Sequence, residues 1–468
     1  MSKSKISYKE LVLMNISALY GIRWIAKSTS SSFGLGLGAI PSWIIFMILF
    51  FIPQAFMCAE LASTYPSDGG LYTWVRKAFG TEYAFMVSWL NWTAKIFWYA
   101  SFLTFFSVNF SYMLGKPALS ENKMFVLVLS VSLFWILSWI SSKGMSFGKF
   151  FTNIGSFGST IPTILLISMA FIAIVILGKA PSASTYTFST LMPKLNPDSL
   201  VAISGIIFAY TGAEITANFI TEMEQPRKNF PRAIILSASI VCILYILGSI
   251  SISMLLSPEE ISSSTGILDS LSRGCELLGI PTIFIQILAA GISLSIIGAL
   301  ILYIASPIKM LFGSAEKGLF PEKLTRLNEH GIPVRAVYLQ AIVVTLLLVT
   351  TSLLPGVDTI YNVLVTMTAL TSLFPYILLF LAYIKIKKRQ SKTIDANTYV
   401  MTQNKKLAIG IAIVELIICT IAIVCSAYPV MDTPKDNIIY EIEMIGGGLL
   451  VIISGMYIWR HSKLKNKL

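Results

Sequence analysis

Arg23, Lys27, Lys95, Glu214 and Glu415 are ionisable side chains well inside long apolar stretches. A charge near the centre of a bilayer costs about 3 kcal/mol or more, so each needs a partner or a task. Arg23 and Glu214 also adjoin interruptions. Ser17-Ala18-Leu19-Tyr20-Gly21-Ile22-Arg23-Trp24 and Phe208-Ala209-Tyr210-Thr211-Gly212-Ala213-Glu214-Ile215 each set a glycine just after a tyrosine, with polar neighbours, near the middle of an apolar run. Glycine costs up to about 1 kcal/mol in a helix interior. Unwound backbone is tolerated at membrane depth only where it lines a cavity or is buried in protein. Amides at a half-helix N-terminus attract a carboxylate, and carbonyls at a half-helix C-terminus attract an ammonium, so a zwitterionic amino acid satisfies both. The expected substrate-binding set is Tyr20, Gly21, Ile22, Arg23, Tyr210, Thr211, Gly212 and Glu214. The alternative reading of the two glycines is close helix packing.

The charges carry further expectations. Glu214 either takes up a proton and couples transport to pH or hydrogen-bonds to the broken first helix. Lys95 lies about 12 residues into its stretch, roughly 18 Å deep, too far to snorkel easily. It is expected to occupy the place of a coupling cation, pair with Glu214 or hold an anionic substrate, and the alternative is a structural ion pair. Glu214 and Lys95 are the candidate coupling residues. Arg23 and Lys27, four apart, share a helix face. Either both snorkel to the outer headgroups, or Arg23 takes a carboxylate with its two-pronged guanidinium and so favours an acidic side chain on the substrate or counter-substrate.

Aromatic residues suited to occluding a small ligand are Tyr20, Trp24, Trp98, Tyr99, Phe208, Tyr210 and Tyr376. Most membrane aromatics pack or form interfacial belts. Trp98 is carried as a substrate-binding candidate, while Tyr99 and Tyr376 are assigned to packing. Glu415 is expected at a contact between protomers or between two helices. Glu60 and Asp68 are expected in an inner gate or loop network rather than on a ligand.

Composition says what must position these residues. The chain has 468 residues, 55% of them apolar and only 12% charged, with mean hydropathy +0.76, outside the soluble globular range. At about 20 residues per helical crossing, twelve apolar stretches fit: 11–32, 39–62, 83–114, 124–141, 151–178, 198–220, 232–256, 281–308, 334–354, 358–384, 406–428 and 438–459. With the N-terminus cytoplasmic, 26 of the 35 lysines and arginines fall on the inner side and six on the outer; the other three are Arg23, Lys27 and Lys95. That bias places both termini inside and accounts for the net charge of +12 without nucleic acid. The basic run Lys385 to Lys392 anchors the tenth stretch or binds anionic lipid. Met1 to Glu10 is basic and polar with no cleavage signature after it, so the first stretch is expected to remain.

His330 and His461 cannot make a histidine-rich metal or haem site in the bilayer, and Cys58, Cys242, Cys275, Cys419 and Cys425 lack metal spacing, so neither cofactor nor disulfide is expected.

Interruptions at corresponding positions of two halves point to an inverted-repeat transporter. The expected fold is an all-α membrane protein with 12 transmembrane helices in a five-plus-five arrangement. It comprises a cytoplasmic N-terminus (1–10), a first repeat (11–178), an inverted second repeat (198–384), a basic cytoplasmic loop (385–405), two extra helices (406–459) and a tail (460–468).

Three loop stretches carry a resemblance. Ala59-Glu60-Leu61-Ala62-Ser63-Thr64-Tyr65-Pro66-Ser67-Asp68-Gly69-Gly70-Leu71-Tyr72-Thr73-Trp74-Val75-Arg76-Lys77-Ala78-Phe79-Gly80 resembles the second-helix exit and first inner loop of the amino acid, polyamine and organocation (APC) transporter superfamily. The run from Glu222 to Arg232 is similar to its loop after the broken sixth helix. Ala315 to Pro321, with Gly331 to Ala336, is similar to its loop between helices eight and nine. Gly212-Ala213-Glu214 and the run from Asn218 are most similar to the bacterial glutamate/GABA antiporter branch. The resemblance implies a LeuT-type fold and sodium-independent exchange of an amino acid for a related amino acid or amine. Leu-Tyr-Gly-Ile-Arg-Trp replaces the superfamily's glycine-serine-glycine pattern, and the nine residues after Trp459 leave no expected C-terminal plug, so acid gating does not follow. The alternatives are a proton-coupled symporter, or a sodium symporter using Ser293 and Ser295. A membrane enzyme or sensor lacks a paired nucleophile and base. Expected partners are an amino acid or amine and membrane lipid, with the chain a monomer or homodimer.

Overall fold

The computed structural model describes residues 6–30, 34–65, 70–143, 148–193, 196–214, 223–308, 311–312, 319–389, 399–430 and 433–465. Asp68, the run from Asn218 to Glu222, Ala315 to Gly318 and Lys392 lie outside them. The described residues are helical, with one isolated bridge between Ile6 and Met223.

Each of the twelve apolar stretches holds helix. The first is split into α1 (Tyr8–Leu19) and α2 (Arg23–Thr29). There follow α3 (Gly36–Thr64, with a π turn over Met47–Phe51), α4 (Gly70–Phe79), α5 (Thr81–Met113), α6 (Lys123–Ser142) and α7 (Gly148–Ala170). The sixth stretch gives α8 (Pro197–Ala209), which ends at the expected break. Then come α9 (Pro226–Leu255), α10 (Gly266–Leu278), α11 (Ile283–Ile308), α12 (Val334–Thr351), α13 (Val357–Arg389), α14 (Lys405–Ser426) and α15 (Pro434–Ser462).

Local signals explain the boundaries. Ser7 and Glu10 form a reciprocal capping box on α1, which also holds the exposed Glu10 carboxyl below its ordinary range. Asn122, Asn196 and Asn404 cap α6, α8 and α14 with side-chain oxygens, and Pro197 opens α8 where its missing amide costs nothing.

Among the described residues nine helices are long and apolar enough to cross a membrane. The stretches outside that set are the two interrupted ones and α5, whose 33 residues suffice in length but include Asn91, Lys95 and Asn109. The first stretch touches both of the others, Arg23 reaching Ser101 on α5 and Trp24 meeting Phe208 on α8. Helices α1, α2, α3, α8 and α9 pack together, while α5, α6, α11 and α12 form a second group. Helix α7 joins α11 and α9, and α13 lies between α5, α8 and α14.

A buried polar seam closes one end. Glu60 on α3 accepts hydrogen bonds from Tyr383 (2.7 Å) and the Met401 amide (3.2 Å), and it ion-pairs with Lys387. Ser63 binds both the amide and the carbonyl of Tyr399. Glu60 thus belongs to a network, and the basic run is not simply an anchor or lipid site. Lys387 turns inward, and Lys385 lies over the Phe79 ring at 4.4 Å. This inward turn carries α13 five residues beyond the expected boundary.

Glu60→Gln leaves the buried Lys387 ammonium without its countercharge and is expected to lower stability by about 3–5 kcal/mol. Adding Lys387→Met should recover most of the loss. Melting of the detergent-purified protein checks this, and a single variant as stable as the parent would refute the seam's contribution.

Candidate functional site

Tyr20 has extended backbone (φ −80°, ψ 124°), and α2 restarts through tight bonds from Trp24 to the Gly21 carbonyl and from Ile25 to that of Ile22. The first break is closed by α9. The Tyr245 hydroxyl accepts from the Gly21 amide (3.1 Å) and donates to the Leu19 carbonyl (3.1 Å). Tyr20 reaches the other way, its hydroxyl bonded to Thr163 on α7, and Thr163 donates to the Ser159 carbonyl.

The second break repeats this device with another helix. Gly212 has φ +117°, a conformation open to glycine and strained for other residues. Its amide donates to the Tyr376 hydroxyl on α13 (2.9 Å), which donates in turn to Glu214 Oε2 (2.6 Å). Thr211 folds back, its hydroxyl on the Phe208 carbonyl at 2.7 Å. Both glycine amides expected to receive a carboxylate are therefore occupied by tyrosine hydroxyls in this conformation.

Aromatic contacts bring the breaks together. Trp24 meets Phe208 edge-on at 5.5 Å, and Tyr245 lies 5.4 Å from Tyr20 and 6.4 Å from Tyr210. Ile22 is buried beside them. Tyr210 points elsewhere: it is buried between Trp43 and Phe51 and donates to the Trp43 carbonyl at 2.9 Å, so its hydroxyl is committed to packing.

The cations follow an aromatic strip on α5. Arg23 is 5% exposed, stands over Phe102 (4.2 Å) and Trp24 (4.9 Å), and donates to Ser101 at 3.2 Å. Phe102 stacks on Trp98 at 4.0 Å, and Lys95 lies beyond it, 5.3 Å from Trp98 and 5.0 Å from Tyr303. Among the described residues no carboxylate forms an ion pair with Arg23 or Lys95. Lys95 feels the charges of both Arg23 and Glu214 without touching either. Two cations and one carboxylate thus converge on one region.

Several expectations change. Lys95 and Glu214 do not form a contact ion pair, and Glu214 bonds to α13 rather than to the first helix among the described residues. Arg23 and Lys27 do not snorkel: Lys27 is 4% exposed and donates to Asn362 Oδ1 at 2.6 Å. Asn362 continues to Asp358, which accepts from Ser262 and Ser264. Ser295 meets Ser159 at 3.2 Å, while Ser293 is buried with no hydrogen-bond partner among the described residues, so the two hydroxyls serve different surroundings. Tyr376, assigned to packing, is a pivot of the second break. Tyr245 and Thr163 went unnoticed because their signal is contact across more than a hundred residues.

A sequence profile of the amino acid permease family matches residues 6–450. An uncharacterised transporter of Legionella pneumophila is 29% identical over 99% of this chain and 98% of its own. A probable agmatine/putrescine antiporter of Lactococcus lactis is 25% identical over 97% of this chain and 94% of its own. A glutamate/gamma-aminobutyrate antiporter of that species is 26% identical over 74% and 69%, respectively. Among solved structures, MhsT in complex with L-phenylalanine aligns with a TM-score of 0.57 over 89% of this chain and 98% of its own, at 15% identity, a likeness of fold alone. With nearly its whole length inside the family profile, the chain belongs to the amino acid permease family and is a multi-pass membrane transporter, not an enzyme.

Proposed function

We propose that this transporter exchanges an amino acid for a related amino acid or amine, without sodium, by alternating access between the two broken helices. One observation carries the reading: Arg23 is a buried guanidinium at a helix break with no carboxylate partner among the described residues. An uncompensated charge in such surroundings is unfavourable by several kcal/mol, and two ring faces offset about 0.5–2 kcal/mol each. The side-chain carboxylate of an acidic substrate completes the compensation. Glu214, oriented by Tyr376, receives the amino group or a proton, and Lys95 adds the second positive charge that favours an acidic side chain. Tyr20, Gly21, Ile22, Thr211, Gly212 and Trp98 frame this space, and Tyr210 supports it from behind.

In this reading the chain crosses the membrane twelve times with both termini cytoplasmic. Residues 11–178 and 198–384 form the inverted repeats, and 406–459 stand outside them. The antiporter relatives support exchange over symport.

Counterflow in proteoliposomes tests the proposal. Vesicles loaded with amino acids and amines, without sodium, receive labelled glutamate, GABA or a neutral amino acid. Uptake that requires a loaded internal partner is expected. Uptake into empty vesicles driven by a proton gradient would make the protein a symporter, and uptake dependent on sodium would refute the sodium-free reading.

Arg23→Ala is expected to weaken uptake of acidic substrates about 10- to 100-fold, the worth of a charge-assisted hydrogen bond, and to spare neutral ones. Equal losses for both would assign the arginine to structure. Glu214→Gln should insert normally and lose transport or its pH dependence, and unchanged pH-dependent uptake would sink the coupling role.

A further inference from the structure

Glu415 is an intramembrane carboxyl that the exchange scheme leaves unused. It lies in the middle of α14, which packs on α13, α8 and α3 within the same chain, so it stands at a contact between helices. It is 0% exposed, and neither carboxyl oxygen has a hydrogen-bond partner among the described residues. Its titratable neighbours are thiols: Cys58 on α3 and Cys419 one turn along α14. On α13, Tyr376 and Tyr383 are committed to Glu214 and Glu60. No cation among the described residues pairs with Glu415.

An ionised carboxylate in these surroundings has nothing to replace its water. We infer that Glu415 carries a proton in this conformation and is a second intramembrane proton-binding site beside Glu214. The two carboxyls flank one residue, since Cys58 lies within electrostatic reach of both. With zero exposure, Glu415 can release its proton to water, leaving a carboxylate, only in a conformation where α3, α8 or α13 has moved relative to α14. Its loading is thereby tied to the helices that carry and flank the breaks. This coupling rests on the transport reading, whereas the protonation itself does not.

Infrared spectroscopy of the reconstituted protein at neutral pH tests protonation directly. The difference spectrum of wild type minus Glu415→Gln is expected to hold a carboxylic acid carbonyl band resistant to deuterium exchange, and so is that of Glu214→Gln minus the double variant, where Glu214 cannot supply it. A difference spectrum without that band overturns the inference. Glu415→Met removes the unpartnered acid and is expected to melt at or above the wild-type temperature, while a clearly lower melting temperature would reveal a partner for Glu415 and count against it. In glutamate/GABA exchange vesicles, Glu415→Gln is expected to lose part of the pH dependence, and an unchanged profile refutes the coupling. If wild-type vesicles exchange none of the amino acids and amines of the counterflow panel, the exchange reading fails, and the infrared result still decides whether Glu415 binds a proton.

Discussion

A helix interrupted inside an apolar layer leaves amides and carbonyls that no bulk water can satisfy, and two tyrosine hydroxyls absorb that deficit here. Tyr245 binds both sides of the first break, and Tyr376 joins the Gly212 amide to Glu214. Each hydroxyl works because it donates and accepts at once. Much of the packing serves to deliver them: α9 must lie against α1 for Tyr245, and α13 must pass behind α8 for Tyr376. The two bridges differ in one respect. Tyr245 closes backbone onto backbone, whereas Tyr376 ends on a side chain whose charge can change, so the second break is the chemically adjustable one.

The charges are arranged with similar economy. Along α5, Phe102 and Trp98 carry Arg23 and Lys95 on their ring faces instead of giving each a carboxylate. Ring faces stabilise a cation weakly and without fixing its direction, which leaves the guanidinium donors not engaged by Ser101 available to another acceptor. Lys27, only four residues from Arg23, is treated differently: Asn362 and Asp358 tie it into a chain that ends in the loop before α10. Two cations on one helical face thus have separate roles, one fixed in a network and one held by aromatic rings.

Much of this was legible before any coordinates. Gly21 and Gly212, each after a tyrosine and near an ionisable residue, marked the breaks because glycine and charge are both unfavourable in the middle of a membrane helix. Helix boundaries followed from apolar length and from caps such as Asn122 and Asn404. The partners were not legible. Whether Lys27 reaches headgroups or Asn362 depends on where α13 passes, and nothing near position 27 encodes that. Tyr376 looked like one more packing aromatic because its function lies in what its hydroxyl meets. Tyr210 misled in the opposite direction: adjacency to a break in sequence says nothing about the side to which a ring turns.

The bonds that secure the first helix also set an order in time. Its contacts reach Ser101, Thr163, Tyr245 and Asn362, so the partners emerge from the ribosome 78, 143, 224 and 335 residues later. At about 5–20 residues per second, the last arrives on the order of tens of seconds after the first helix has left the ribosome. During that interval Arg23 and Lys27 have none of these partners, and the break is unbridged. The first helix is therefore among the last to gain its full set of partners, which is complete only once α13 is made.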